Sequence, residues 1–585
     1  MSAPDYNAVN GLSRADPKTR RARIPSMRCG IWSFTMDDVT RSDARAAGTR
    51  PRLDFQAHLA DLEARGLLVR IDRPVNKDTE LHPLVRLQFI GGIPEAERRA
   101  FLFTNVTDAA GRRYDIPVAV GALAASAEIY ALGMGCAPEA IGKAWLDAID
   151  HPVAPVRAAA ARCQEVVISG EALRGPDGGL KRLPVPVSTP GFDSAPYLTA
   201  TLCVTKDPDS GIQNMGTYRA ALKATDRLAV RMVARSGGAG GYLHWLKYEA
   251  RKQPMPIAIV IGAAPVVMFT GPQKLAVDMD EMAVAGALAG EPIRMVRCKT
   301  VDLDVPADAE IVIEGLIDTQ MLEPEAPFGE SNGYVALEAF NMPMQVTAIT
   351  HKQSPVFCSI ISQVTPSESS LVKRVAYEPL WLAHLKDHLG VRGVARVVMH
   401  EPLSNLRPVI FVQYAAGTPR TEVWRGLQGA STLMAGCGKV CIAVSQDIDP
   451  TNTDAIFWSI AYRSNPIEDV HIVPYRGGVQ GAQYRERGAD STLLIDATAK
   501  GPLPPLALPK QDFMQRAEAL WAELNLPPIT LKSPWHGYTL GDWIERWDVY
   551  AERAVSGRWE ETGRETLARQ RGGVHPETSV RKVEG

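Results

Sequence analysis

Residues Glu323-Pro324-Glu325-Ala326-Pro327-Phe328-Gly329-Glu330-Ser331-Asn332-Gly333 set three carboxylates among two prolines and two glycines, shortly after the apolar run Ile311-Val312-Ile313-Glu314-Gly315. Each proline lacks a backbone donor and fixes φ, so no regular helix passes through. The residue before each proline is pushed toward an extended conformation. The pattern predicts a strand that empties into a rigid, irregular loop carrying Glu325 and Glu330. In a straight strand their odd separation places them on opposite faces. A bend, which Gly329 permits, is needed to aim both into one pocket. Rigid charged loops are frequent seats of catalytic carboxylates; the plainer alternative is a solvated acidic turn.

Four further blocks frame this stretch. Gly211-Ile212-Gln213-Asn214-Met215-Gly216-Thr217-Tyr218-Arg219 follows the strand-like Ala200-Thr201-Leu202-Cys203-Val204-Thr205 and the turn Asp207-Pro208-Asp209-Ser210. Then come His244-Trp245, Met255-Pro256-Ile257-Ala258-Ile259-Val260-Ile261-Gly262, and Asp280-Glu281-Met282-Ala283-Val284-Ala285-Gly286-Ala287-Leu288-Ala289-Gly290-Glu291-Pro292. In this order the blocks resemble the UbiD family of prenylated-FMN-dependent decarboxylases. The resemblance runs from near Leu53 to about Gly477.

The resemblance implies a cofactor, prenylated FMN, that bonds to the substrate as an electron sink while the protein positions reactants and manages charge and protons. It implies three catalytic residues. Arg219, whose planar fork is permanently charged, pairs with the substrate carboxylate and a Glu; Glu325 holds Arg219; Glu330 delivers the proton that replaces carbon dioxide. A donor at neutral pH needs a raised carboxylate pKa, which burial near a second carboxylate supplies. By the same route Asn214, His244 and Glu281 are the expected ligands of Mn²⁺ or another divalent ion, with K⁺ nearby. An amide oxygen, an imidazole and a carboxylate suit such an ion, and its partner here is the flavin phosphate. Asn214, Gly216, Thr217, Arg219 and Lys439 are the expected cofactor contacts. The glycine-rich run Ser236-Gly237-Gly238-Ala239-Gly240-Gly241 contains no GxxxxGK[ST] phosphate loop and reads as a lid-like loop.

At 585 residues the chain is expected to hold two to four domains. Its 45% hydrophobic and 22% charged content is that of a globular protein, and a formal net charge of -2 gives no global basic surface for nucleic acid. No apolar run reaches bilayer-spanning length, and the N-terminus shows no secretory pattern. Eight scattered cysteines are no disulfide framework. Cytoplasmic location is the expectation. Cys437 and Cys441 lack the second pair of a zinc site and read as packed thiols; His384 and His388 lack the Glu of HExxH and read as part of an amphipathic helix.

The expected fold class is a multidomain α/β (α+β) protein. Residues 1–50 form an arginine-rich arm, 51–165 an N-terminal α/β domain with helical spacing at 55–68 and 137–149, and 166–350 a β-rich unit. Its strands are expected at 165–168, 199–205, 257–269, 310–317 and 344–350; the resemblance implies a split β-barrel that binds the flavin. Residues 351–500 alternate strand and helix as a C-terminal α/β domain. The Pro-rich 501–509 links to an oligomerisation tail, 510–585, that holds Trp521, Trp535, Trp543, Trp547 and Trp559.

Non-oxidative, reversible decarboxylation of an aromatic, heteroaromatic or α,β-unsaturated acid is the expected activity. Arginines at 14, 20, 21, 23 and 28 could contact a coenzyme A phosphate, which adds an aryl-CoA thioester, in the manner of phthaloyl-CoA decarboxylases, to the candidate substrates; a solvated or subunit-bridging arm is the alternative. Competing readings are an inactive structural subunit, which the intact Arg219, Glu325 and Glu330 oppose, and a plain FMN oxidoreductase. Expected partners are a flavin prenyltransferase that supplies the cofactor and further copies of the chain, as a dimer or a hexamer built as a trimer of dimers. Neither nucleic acid nor membrane is expected.

Overall fold

The 13-residue strand Ala339–His351 organises the centre of the molecule, pairing along its length with four other strands. The computed structural model describes residues 50–232, 240–273, 275, 279–325, 327–401, 408–434, 437–476 and 490–584. The arginine-rich arm at 1–49, Ala326, and the part of the glycine-rich run at 236–239 lie outside the described residues.

The central sheet has ten strands, every pairing antiparallel. Its path runs Gln213–Gly216, Thr201–Lys206, Met255–Ile261, Ile311–Ile317, Ala339–His351, Arg227–Val230, Ala220–Ala224, Tyr197–Leu198. Val166–Ser169 and Glu323–Glu325 also pair with Ala339–His351. Among the described residues this path is open, not a closed barrel. Met255–Ile261 and Ile311–Ile317 read as near-continuous apolar runs because both faces are covered. The strand expected over 257–269 stops at Ile261; Pro265 instead opens the helix Pro265–Thr270, since its missing N–H costs nothing at the first helical position.

Before this sheet, helix Phe55–Ala64 buries Phe55, Leu59 and Leu62 and is capped by Asp54, which accepts from the Ala57 amide at 3.0 Å. It packs by a four-stranded sheet, Leu68–Ile71, Ala100–Phe103, Val118–Val120 and Phe357–Ser359. The last of these strands returns from beyond the central sheet to pair in parallel with Val118–Val120. After it, a mixed five-stranded sheet runs Val394–Met399, Val409–Tyr414, Val440–Ser445, Asp490–Ala497, Val470–Arg476, with helices Glu368–Ala383 and Arg420–Ala430 against it. The chain is thus a multidomain α/β protein, as its patterning indicated.

Cys437 and Cys441 are buried in the apolar core of this last sheet. His384 and His388 lie on a π-helical turn with ring centroids 6.0 Å apart. Among the described residues no three His, Cys, Asp or Glu side chains gather as a metal-binding group, so neither pair extends to one. Nor is any described helix long and apolar enough to cross a membrane. In the tail, helices Gln511–Glu523, Glu545–Val555 and Trp559–Ala568 bury no residue.

Candidate active site

The acidic stretch is not irregular throughout. Glu323–Glu325 is a strand against Ala339–Asn341, and Phe328–Gly329 pairs with Val335–Ala336. Pro324 sits on the outer strand of its pairing, where a missing donor is tolerated. Gly329 matters for space: a Cβ there would lie 2.4 Å from Thr189 Oγ1 and 2.9 Å from Gln363 Cγ. Its amide donates to Asp193 Oδ1 at 2.9 Å, and Asp193 Oδ2 accepts from the Thr189 amide at 2.7 Å. Burial pushes the Asp193 carboxyl up from its ordinary value. These contacts hold the turn that carries Glu330.

Glu325 and Glu330, for all their odd separation, converge on Arg219. Its Nε and one terminal nitrogen reach the two oxygens of Glu325 at 3.0 and 3.2 Å, and its other terminal nitrogen reaches Glu330 Oε1 at 2.9 Å. Three of the five guanidinium donors are named by these bonds. Glu325 is fully buried, whereas the Glu330 side chain keeps 16% exposure. Asn341 Nδ2 adds a bond to Glu325 Oε2 at 2.9 Å. The Arg219 guanidinium stacks over Phe328 at 4.6 Å, and Phe328 in turn rests on Tyr197, with centroids 4.1 Å apart. Burial opposes the charge on Arg219, but the bonds and charges of Glu325 and Glu330 outweigh it and raise its pKa. Tyr197 is pushed up by burial and by the charge of Glu325.

A second group assembles on the strand Gln213–Gly216. Asn214 stands directly opposite Thr205 in the ladder, so their side chains share a face. Thr205 Oγ1 is 2.9 Å from His244 Nδ1, which orients the imidazole. Glu281 Oε2 accepts from the Met215 amide at 3.3 Å; Glu281 opens the helix Glu281–Ala289, capped by Asp280. Burial pushes the Glu281 carboxyl up to about 7 and lowers His244. Asn214 Nδ2 is buried without a hydrogen-bond partner. A Cβ on Gly240 would lie 2.0 Å from Asn214 Oδ1, and one on Gly216 2.3 Å from the Tyr218 hydroxyl. A half-buried carboxylate with an amide donor, an unsatisfied amide and an imidazole held through one nitrogen fit a divalent cation, which would supply positive charge there.

Sequence reasoning thus named residues that the fold brings into two adjoining groups, Asn214, His244 and Glu281 with Gly216, and Arg219 with Glu325 and Glu330. Thr217 lies beside Gly271, whose Cβ would come within 3.0 Å of Thr217 Oγ1. Lys439 lies just before the strand Val440–Ser445 of the C-terminal sheet, where its ammonium is 2.9 Å from Asp490 Oδ2. Arg231, Asn341, Tyr197 and Asp193 went unremarked. For Arg231 simple counting misleads: outward from the turn at Thr225-Asp226 it places Met232 opposite Arg219, and a register shift between Leu222 and Ala224 brings Arg231 there instead.

The chain matches three family models: the 3-octaprenyl-4-hydroxybenzoate carboxy-lyase N-terminal domain at residues 59–170, the Rift-related domain at 154–364 and the C-terminal domain at 376–497. An uncharacterized protein of Synechocystis sp. is 27% identical over 518 residues, covering 84% of this chain and 96% of its own. The UbiD-class enzyme HmfF from Pelotomaculum thermopropionicum, solved with FMN, is 28% identical with a TM-score of 0.69, covering 80% of this chain and 99% of its own. An evolved dimeric form of it, solved with prFMN, has a TM-score of 0.65 at 27% identity, covering 82% and 97%. The closed form of vanillic acid decarboxylase from Sedimentibacter hydroxybenzoicus shares the fold, with a TM-score of 0.66 at 24% identity, covering 81% and 99%.

Proposed function

The chain belongs to the UbiD family, and we propose that it is a prenylated-FMN-dependent carboxy-lyase acting on an aromatic, heteroaromatic or α,β-unsaturated acid, free or as an aryl-CoA thioester. The observation that carries this reading is Arg219 held between a buried Glu325 and a partly exposed Glu330.

When bound, prenylated FMN supplies the electron sink for the carbon that loses carbon dioxide. The protein does the rest. Glu325, gripping two guanidinium nitrogens, fixes the plane of Arg219 and leaves its free edge to receive a substrate carboxylate. Phe328 beneath the guanidinium keeps water from that face. Glu330, the acid with solvent access, donates a proton from its carboxyl oxygen to the vacated carbon and regains it from solvent. Asn214, His244 and Glu281 would hold a divalent ion such as Mn²⁺ against the flavin phosphate, with Gly216 and Thr217 at the backbone beside it and K⁺ nearby; Lys439 is the further phosphate contact in this reading. A flavin prenyltransferase would supply the cofactor in the cytoplasm, and the exposed tail would assemble copies of the chain. The test is reconstitution with prenylated FMN followed by a screen of free acids and their CoA thioesters for carbon dioxide release. Release from none of them, with the cofactor bound, defeats the proposal.

A further inference from the structure

The hairpin of Ala220–Ala224 and Arg227–Val230 carries an arginine on each strand just beyond the open end of its ladder. Ala220 pairs with Val230, and the Arg231 amide donates to the Arg219 carbonyl at 3.0 Å, so the two arginines are direct cross-strand neighbours. Like charges in that relation destabilise a sheet, and both side chains are largely buried, at 12% and 21% exposure. The two carboxylates offset this. Arg231 lies 3.9 Å from Glu325 Oε2 through a terminal nitrogen and 3.9 Å from Glu330 Oε1 through Nε. Those are ion-pair separations beyond hydrogen-bond reach, whereas Arg219 hydrogen-bonds both acids. Arg231 therefore stands one step back from Arg219, facing the same pair.

A substrate carboxylate adds a third anion. With Arg219 alone, three negative charges would share one guanidinium in a largely buried site, a costly arrangement. The cheapest relief would be to protonate Glu330 as the acid enters. Among the described residues the charged groups that face Glu330 are Arg219 and Arg231, with Glu325 beside them. We propose that Arg231 is a positioning residue that takes over the Glu330 carboxylate when a substrate carboxylate occupies Arg219, so that the acid binds without a proton. This rests on the decarboxylase reading above. The overall reaction, R–COO⁻ and H⁺ giving R–H and carbon dioxide, then draws its proton through Glu330 after binding instead of with it.

Calorimetric titration of the flavin-loaded protein at pH ~8, with benzoate, 2-furoate and cinnamate as probes, in two buffers of different ionisation enthalpy, tests the proposal. Wild-type protein is expected to bind without buffer-dependent heat. Arg231→Leu should bind about tenfold or more weakly and take up about one proton with the acid, while Arg231→Lys stays near wild type. Flavin absorbance checks that each variant retains its cofactor and fold. A full proton taken up by the wild type overturns the proposal without any variant, as does Arg231→Leu binding with wild-type affinity and no proton uptake. Wild-type protein that binds none of the three acids and releases carbon dioxide from no screened acid overturns the decarboxylase reading instead.

Discussion

Glu325 and Glu330 touch the same guanidinium, yet replacing each by Gln should do different damage. Glu325 is fully buried and accepts two bonds from Arg219 and one from Asn341. An amide there presents a donor where Arg219 already donates, and it leaves a buried cation short of its counter-charge. Removing one partner of a buried ion pair costs about 3–5 kcal/mol. Glu330 makes one 2.9 Å bond to the same arginine and keeps 16% exposure. Its loss is that of one charge-assisted bond with water at hand, at most about 1.5–3 kcal/mol. Catalysis should show the opposite bias: Glu330→Gln keeps fold and cofactor but has no proton to give, which lowers turnover by roughly 10²–10⁴-fold. Urea titrations followed by tryptophan fluorescence, beside carbon dioxide release from cofactor-loaded protein, measure both effects. Equal stability losses in the two variants, or wild-type turnover in Glu330→Gln, would refute the division of labour.

Three more outcomes are expected. Glu281→Ala should lose divalent metal and flavin together, because the site loses a ligand carboxylate and the phosphate charge goes uncompensated; stoichiometric metal and flavin in the purified variant would remove Glu281 from the ligand set. His82 is fully buried, 2.9 Å from Ser359 Oγ, and burial, with Arg86 adding to it, lowers its pKa to about 3. A histidine depressed in the fold contributes stability that is present above pH ~6.5 and lost as pH falls toward about 3, up to roughly 5 kcal/mol. His82→Gln should therefore unfold at a lower pH than wild type in acid titrations followed by circular dichroism, and an unchanged midpoint would count against it. Truncation at Pro509 should reduce the assembly to monomers in light scattering coupled to size exclusion, since the tail helices bury nothing within their own chain and leave Trp521 and Trp559 exposed; a full-length monomer at micromolar concentration would defeat the claim.

The sequence by itself determined the kinds of element and the chemistry they carry. Apolar runs such as Met255–Ile261 and Ile311–Ile317 read as buried strands because hydrophobic pattern and turn residues are local properties. Glu325 and Glu330 stood out by their setting among prolines and glycines, and Asn214, Arg219 and Glu281 because the ordered motifs that hold them resemble those of the UbiD family. What the sequence left open was which faces meet. Proline content read the stretch after Ile317 as an irregular loop, but pairing with Ala339–His351 made a strand of Glu323–Glu325, because a prolyl residue on an outer strand forfeits no needed bond. The convergence of Glu325 and Glu330 was attributed to freedom of the backbone at Gly329; the structure gives that glycine to the close approach of Thr189 and Gln363 instead. Asn341 became part of the site only through sheet register, and Arg231 only because a register shift inside its hairpin sets it opposite Arg219. Pairings of that kind are decided by the packing of the whole sheet, and no local window of sequence contains them.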